Sequence, residues 1–186
     1  MPRIIIGLVG PIAAGKSTTV TYLKTRRFSS YSLSDRIREE ILSRGLDVTR
    51  ENLNIVSNEL RQNLEPDVLA KRTADLIEQD QSEHIVIDSI RNPQEVEFLK
   101  NHFGAKIIGF TAPQEKRFDF FVNRGSNNAG IATWEQFKEL DDMEMAQSGE
   151  YKQQVKMCLN LADIVIENNG SIEDLQKKVE ELILSI

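Results

Sequence analysis

The chain has a single cysteine, Cys158, so no internal disulfide can form, and its chemistry suits a reducing compartment. Histidine is nearly as scarce. His84 and His102 stand far apart in sequence and cannot build a Cys/His zinc site with one thiol. No apolar run approaches the ~20 residues that cross a bilayer, so no membrane partner is expected. There is no internal repeat, no low-complexity tract and no Pro/Gly/Ser-rich linker. Basic residues are outnumbered, 23 Lys and Arg against 29 Asp and Glu, for a net charge of −6. That balance argues against a broad nucleic-acid footprint, although a few converging arginines can still hold an anion. Met1-Pro2-Arg3 leads straight into strand-forming residues, so no leader peptide and a cytoplasmic location are expected. The 186 residues fit one domain, as a monomer or homodimer. A chain of this length can bury roughly 70% of its unfolded surface without staples.

What is present starts at Gly10-Pro11-Ile12-Ala13-Ala14-Gly15-Lys16-Ser17-Thr18. This fits G-x-x-x-x-G-K-[ST], the phosphate-cradling P-loop. Its flanks agree with the motif. Ile4 to Val9 is an apolar, β-branched segment that reads as a buried strand, and Thr18 to Lys24 can continue as a helix. Gly10 and Gly15 let the backbone turn tightly and approach an oxygen-rich ligand. Backbone N–H groups of Ala13, Ala14 and Thr18 then face phosphates at a helix N-terminus. Lys16 would reach the β- and γ-phosphates of ATP, and Ser17 would ligate Mg²⁺.

Further along, Phe28 to Leu33 reads as a short strand, and Ser34 can cap a helix starting at Asp35. Leu53, Val56, Leu60 and Leu64 have helical spacing. Leu69, Thr73, Leu76 and Ile77 resume it beyond Pro66, which separates two helices. His84 to Asp88 is a strand ending in an acid. Asn92, Pro93 and Glu95 form a helix start with cap, first-turn proline and capping-box acid. Lys106 to Thr111 is the next strand. A helix from about Gln114 to Asn123 follows, with Phe118, Phe121 and Val122 inward. Arg124 to Gly130 reads as a mobile loop. Thr133 to Gln136 is a capping box, with Trp134 assigned to core packing. Tyr151 to Ala162 reads as a helix and Asp163 to Glu167 as a last strand. A final helix from Ser171 would bury Ile172, Leu175, Val179, Leu182 and Ile183.

Alternating strands and helices imply a parallel sheet covered on both faces, with ligands beyond the carboxyl ends of the strands. Along that edge lie the candidates for chemistry. Asp35 and Asp88 are the two carboxylates with access to Mg²⁺ or an attacking hydroxyl, and Arg91 follows Asp88. Asp35, Arg36 and Arg38 follow the second strand, and Arg61 is a further substrate-side candidate. Planar guanidiniums there would face a second anionic substrate. Arg117 and Arg124 flank the helix entering the loop and could neutralise a transferring phosphoryl group. The alternative for each arginine is a solvated charge or surface ion pair.

The pattern resembles the nucleotide-kinase branch of P-loop proteins, the nucleoside monophosphate kinases and dephospho-CoA kinases, over nearly the whole chain. Gly10 to Ser17 matches the family's P-loop, Ser34 to Arg38 resembles the substrate-side helix start, and Ile87-Asp88-Ser89-Ile90-Arg91 resembles the acid-and-arginine strand end. Arg117 to Arg124 resembles the lid, and Ala162 to Ser171 is similar to the dephospho-CoA kinase segment near the adenine pocket. The resemblance implies a three-layer α/β fold, with a five-stranded parallel sheet, a helical substrate insert over about residues 35–80 and a lid over about 117–148. It also implies an adenine pocket using Asn168 and Gly170. Asp88-Ser89-Ile90-Arg91-Asn92-Pro93 departs from the acceptor motifs of both subfamilies and resembles P-loop segments attached to some deoxycytidylate-deaminase-like proteins. The expected activity is Mg²⁺-dependent transfer of the γ-phosphoryl of ATP to a small nucleotide-like acceptor. A nucleotide-dependent switch or ATPase without an acceptor, and a kinase of nucleic-acid ends or modified bases, stay open beside it.

Overall fold

A computed structural model describes residues 3–123, 133–146, 149 and 151–186. Strands β1 (Ile4–Val9), β2 (Ser29–Ser32), β3 (His84–Asp88), β4 (Lys106–Thr111) and β5 (Ile164–Glu167) form one sheet in the order β2-β3-β1-β4-β5. Every pairing is parallel. Parallel neighbours need crossover connections, and helices supply them: α1 (Lys16–Thr25), α2 (Leu33–Ser43), α3 (Arg50–Asn63), α4 (Val68–Gln79), α5 (Pro93–Phe103), α6 (Gln114–Asn123), α7 (Trp134–Ala146), α8 (Val155–Asn160) and α9 (Ile172–Ile183). This is the three-layer α/β P-loop fold.

The period-2 alternation of a strand divides β1 between two cores. Ile5 and Val9 face a cluster with Leu33, Ile37, Val56, Leu60, Leu69 and Val96 from α2 to α5. Ile6 and Leu8 face a second cluster with Leu23 of α1 and Leu175 and Val179 of α9. Both faces are buried, which explains why β1 reads as an unbroken apolar run. A third, aromatic cluster joins Phe121 and Phe137 to Ala13 of the loop after β1, with Phe118 and Trp134 against it. Trp134 meets Phe118 edge-on, with ring centroids 5.5 Å apart. The lone tryptophan therefore belongs to packing, and it ties α6 and α7 to the loop.

Local sequence rules placed most element starts. Asn92 caps α5 with Glu95 completing the box, Ser171 caps α9, and Thr133 and Gln136 exchange bonds at the start of α7. Other expectations change. Strand β2 is confined to four residues, because Phe28 and Leu33 are drawn into opposite cores. Helix α2 starts at Leu33, and Ser34 lies inside it instead of capping it. Val122, Leu64 and Ile172 are exposed. Helix α8 begins at Val155, not Tyr151. The preceding residues are bound to the β3–α5 turn instead: Gln154 N donates to Arg91 O at 2.7 Å, and Asn92 Nδ2 donates to Lys152 O at 3.2 Å.

One buried ion pair crosses the α2–α5 face. Arg61 of α3 is 1% exposed and Glu95 of α5 is fully buried. Arg61 Nε and Nη2 donate to Glu95 Oε1 at 3.1 and 2.8 Å. Removing one partner of such a pair leaves a buried charge uncompensated, which costs about 3–5 kcal/mol. Arg61→Leu should therefore lose about that much stability in urea unfolding, and a loss below about 1 kcal/mol would contradict the pairing.

Candidate functional site

The loop between β1 and α1 is shaped by three residues with positive φ: Gly10 at +144°, Ala13 at +59° and Gly15 at +112°. A Cβ on Gly10 would come within 2.4 Å of the Phe110 carbonyl oxygen, so only glycine fits beside β4. Ala13 holds a left-handed conformation that costs an L residue about 1–2 kcal/mol. The turn exposes backbone N–H groups at the start of α1, whose first turn carries no acidic residue to offset the helix dipole. Lys16 Nζ donates to Gly10 O at 2.6 Å and Pro11 O at 2.8 Å, lying across the loop. Ser17 is exposed and Thr18 half-buried in the same first turn.

Beside this loop is a cavity of about 400 Å³ lined by Ala13, Gly15, Thr18, Phe120, Asn168, Gly170, Ile172 and Leu175 among others. Asn168 follows β5 and is clamped at both ends. Its backbone N–H donates to Thr111 O at 2.7 Å, and its Nδ2 donates to Ala14 O at 3.1 Å. The cavity therefore opens between the P-loop and the β5–α9 turn, with Ile172 and Leu175 as apolar walls.

The end of β3 lies next to the end of β1. Gly7 pairs with Ile87, so Asp88 comes level with Leu8, just before Gly10. Oδ1 of Asp88 is buried and has no hydrogen-bond partner among the described residues. Ser89 has φ of +64°. Its hydroxyl accepts from Ser32 at 2.9 Å, and Ser32 and Ser34 hydroxyls are 2.9 Å apart. Arg38 Nη1 reaches Ser34 Oγ at 2.6 Å and Asp35 Oδ1 at 3.0 Å. The Arg38–Asp35 pair is half exposed and worth little in stability. Arg36 is turned to Glu39, one turn on, while its Nε is buried without a partner. Arg91 Nη1 donates to Glu144 Oε1 at 3.1 Å and Gln153 Oε1 at 2.9 Å.

Two arginines sit differently from the sequence expectation. Arg61 is sealed in the core and bonded to Glu95. Arg117, expected as a neutralising cation, is buried and doubly bonded to Asp141 of α7 at 2.5 and 2.6 Å. It also donates to Ile12 O at 3.0 Å and Ala112 O at 3.1 Å, so it braces the P-loop against α7. In both cases a carboxylate distant in sequence captured the guanidinium. Arg124 lies outside the described residues. Cys158 is buried, and burial pushes its thiol well above the ordinary range, so it is inert. No cluster of three or more metal-ligating side chains occurs among the described residues, and none of their helices is long and apolar enough to cross a membrane.

Residues 6–147 match a family model described as an AAA domain. The chain is 32% identical to the UPF0200 protein of Thermococcus kodakarensis, across 97% of this chain and 96% of that one. The chain is an AAA-domain member of the UPF0200 family. This UPF0200 member is also 33% identical to a UPF0200/UPF0201 protein of Archaeoglobus fulgidus, of whose length it spans 55%. Among solved structures, a shikimate kinase from Acinetobacter baumannii in complex with shikimate superposes with a TM-score of 0.56 at 18% identity, over 98% of this chain and 94% of that one. A shikimate kinase from Aquifex aeolicus gives 0.55 at 19% identity, over 98% and 95%. These likenesses carry the fold, and they agree with the resemblance to P-loop kinases.

The UPF0200 member has one further arginine at this edge that sequence reasoning passed over. Arg50 opens α3, and its Nη1 is buried without a partner among the described residues. Burial holds its guanidinium below the ordinary arginine range, with Glu144 raising and Arg91 lowering it. Its only sequence signal was a basic residue at a helix N-terminus, where the dipole disfavours it.

Asn168→Ala tests the cavity. Losing the bond to Ala14 O should weaken ATP binding about tenfold, for a contact of about 1–1.5 kcal/mol, read by calorimetry. An unchanged Kd would separate the cavity from the nucleotide.

Proposed function

We propose that this chain is a P-loop kinase that moves the γ-phosphoryl of ATP, with Mg²⁺, to a small anionic, nucleotide-like acceptor of the nucleoside monophosphate or dephospho-CoA type. The single observation that carries this reading is the pairing of a P-loop with a second cationic site, Arg91, at the end of the adjacent strand. A nucleotide switch or plain ATPase has no need of that second site.

In this reading the adenine occupies the cavity beside Asn168 and Gly170. The triphosphate lies on the backbone N–H groups of the Gly10–Thr18 loop other than Pro11, which has none, with Ala13, Ala14 and Gly15 supplying the turn. Lys16 leaves the carbonyls of Gly10 and Pro11 and takes the β- and γ-phosphates. Such a rearrangement exchanges neutral acceptors for charged ones and so is favourable. Ser17 and Asp88 would hold Mg²⁺. One or two protein oxygens suffice for this ion when phosphate and water complete its shell, and the unpartnered Oδ1 of Asp88 fits that demand. The ion would spread the charge of the transferring group. Asp88 is also the candidate base for the proton of an attacking hydroxyl. Arg91 holds the acceptor's anionic group, and Asp35, Arg36 and Arg38 are the further acceptor-side candidates. Arg117 acts through the loop it braces, and Arg124 is assigned to charge neutralisation. Positioning and electrostatics provide the catalysis, as phosphoryl transfer needs little covalent help.

A coupled ADP-release screen over nucleoside monophosphates, deoxynucleotides and dephospho-CoA tests the proposal. One class should stimulate ADP release strongly, and Lys16→Ala should nearly abolish it without loss of fold. Near-normal turnover in folded Lys16→Ala protein would contradict the assignment.

A further inference from the structure

Arg50, Arg91 and Glu144 make an unequal set: two guanidiniums and one carboxylate. Both side-chain bonds of Arg91 come from Nη1, to Glu144 and Gln153, and its side chain is 37% exposed. Its remaining guanidinium nitrogens have no partner among the described residues. Arg50 Nη1 is buried and likewise unpartnered. The two arginines are held on one side of the site. Gln153 donates from Nε2 to Asn54 Oδ1 at 3.0 Å, and Asn54 lies one turn beyond Arg50 on α3. The turn carrying Arg91 is fixed from behind by Glu95, whose Oε2 accepts from Arg91 N at 2.9 Å and Asn92 N at 3.1 Å. Glu144 is 8% exposed, and it is the single carboxylate shown opposing the two cations. A buried guanidinium N–H left unbonded costs free energy, and an oxyanion with two or more oxygens relieves it. One carboxylate cannot saturate two arginine forks.

We propose that Arg50 and Arg91 together bind the anionic group of the acceptor, a phosphate monoester or carboxylate, and that Glu144 is a resident competitor which this group displaces. The inference rests on the kinase reading for the identity of the ligand as an acceptor, while the anion site itself stands on the arginines. Glu144 belongs to α7, the helix that Arg117 ties to the P-loop through Asp141. Displacing Glu144 therefore loosens one of the bonds that hold α7 to the acceptor side while the bond to the nucleotide side stays. Acceptor arrival is thereby communicated to the helix that is tied to the P-loop. Selectivity follows as well: a neutral acceptor cannot displace Glu144 from Arg91, so only an anionic one completes the site.

The test is calorimetric titration of inorganic phosphate, and separately of acetate, into full-length protein saturated with Mg²⁺ and a non-hydrolysable ATP analogue, which fills the P-loop. Arg50→Gln should raise the Kd for the preferred anion about tenfold or more, as expected for a lost charge-assisted contact. Glu144→Gln should lower it about tenfold, because the competing charge is gone while a side chain of the same shape remains. Circular dichroism at the titration temperature should show both variants folded, and Arg50→Gln should keep the wild-type analogue affinity. The stronger of the two titrations distinguishes a phosphate acceptor from a carboxylate one. An unchanged Kd in either variant overturns the proposal. Weaker anion binding in Glu144→Gln also overturns it, since Glu144 would then be positioning Arg91 instead of opposing the ligand. Failure of the ATP analogue to bind would strike the kinase reading, and the same two variants then decide the anion site in a nucleotide-free Lys16→Ala background.

Discussion

Glu95 is the joint on which the turn after β3 depends. One carboxylate oxygen accepts two bonds from Arg61, and the other accepts the N–H groups of Arg91 and Asn92. A fully buried carboxylate is tolerable only when nearly all its lone pairs are satisfied, and this one has four donors. The arrangement ties α3, the β3–α5 turn and the start of α5 into one body. Arg91 is consequently presented from a fixed turn. The residues from Lys152 to Gln154 close on that turn from the other side through Arg91 O and Asn92 Nδ2.

The nucleotide side has an analogous joint at Arg117. Its guanidinium binds the Ile12 and Ala112 carbonyls and the Asp141 carboxylate, so the P-loop, the end of β4 and α7 are tied together. Helix α7 is thus engaged with both halves of the edge, by Asp141 at the P-loop and by Glu144 at Arg91. The Oδ1 of Asp88, unpartnered among the described residues, sits at the end of β3 beside β1. The parallel sheet explains why these groups share one edge. Each strand delivers its C-terminal turn there, and the register of β1 with β3 brings Asp88 level with Leu8.

The features legible in the sequence are those set by local chemistry. The P-loop needs glycine where a Cβ would strike Phe110 or Asn168, and that need is written in Gly10 and Gly15. The capping boxes at Asn92, Thr133 and Ser171 are short-range rules, and the alternation of strands and helices fixes the layer architecture. The readings that changed depended on distant partners. Arg61 and Arg117 resemble any basic residue near a sheet edge until Glu95, 34 residues away, and Asp141, 24 residues away, take them. Arg50 went unnoticed because nothing near it in sequence signals Glu144 or Arg91. Helix α8 lost its first turn to contacts across the molecule, which periodicity cannot register.

The central claim is that phosphate leaves the nucleotide for an organic acceptor held at a second anion site. Phosphorus-31 NMR of the γ-phosphoryl group after turnover tests this most directly, with Mg²⁺, ATP and the acceptor that stimulates ADP release. The account predicts a new phosphoester resonance that grows in step with ADP. Growth of inorganic phosphate alone, with every acceptor, would contradict it and leave an ATPase.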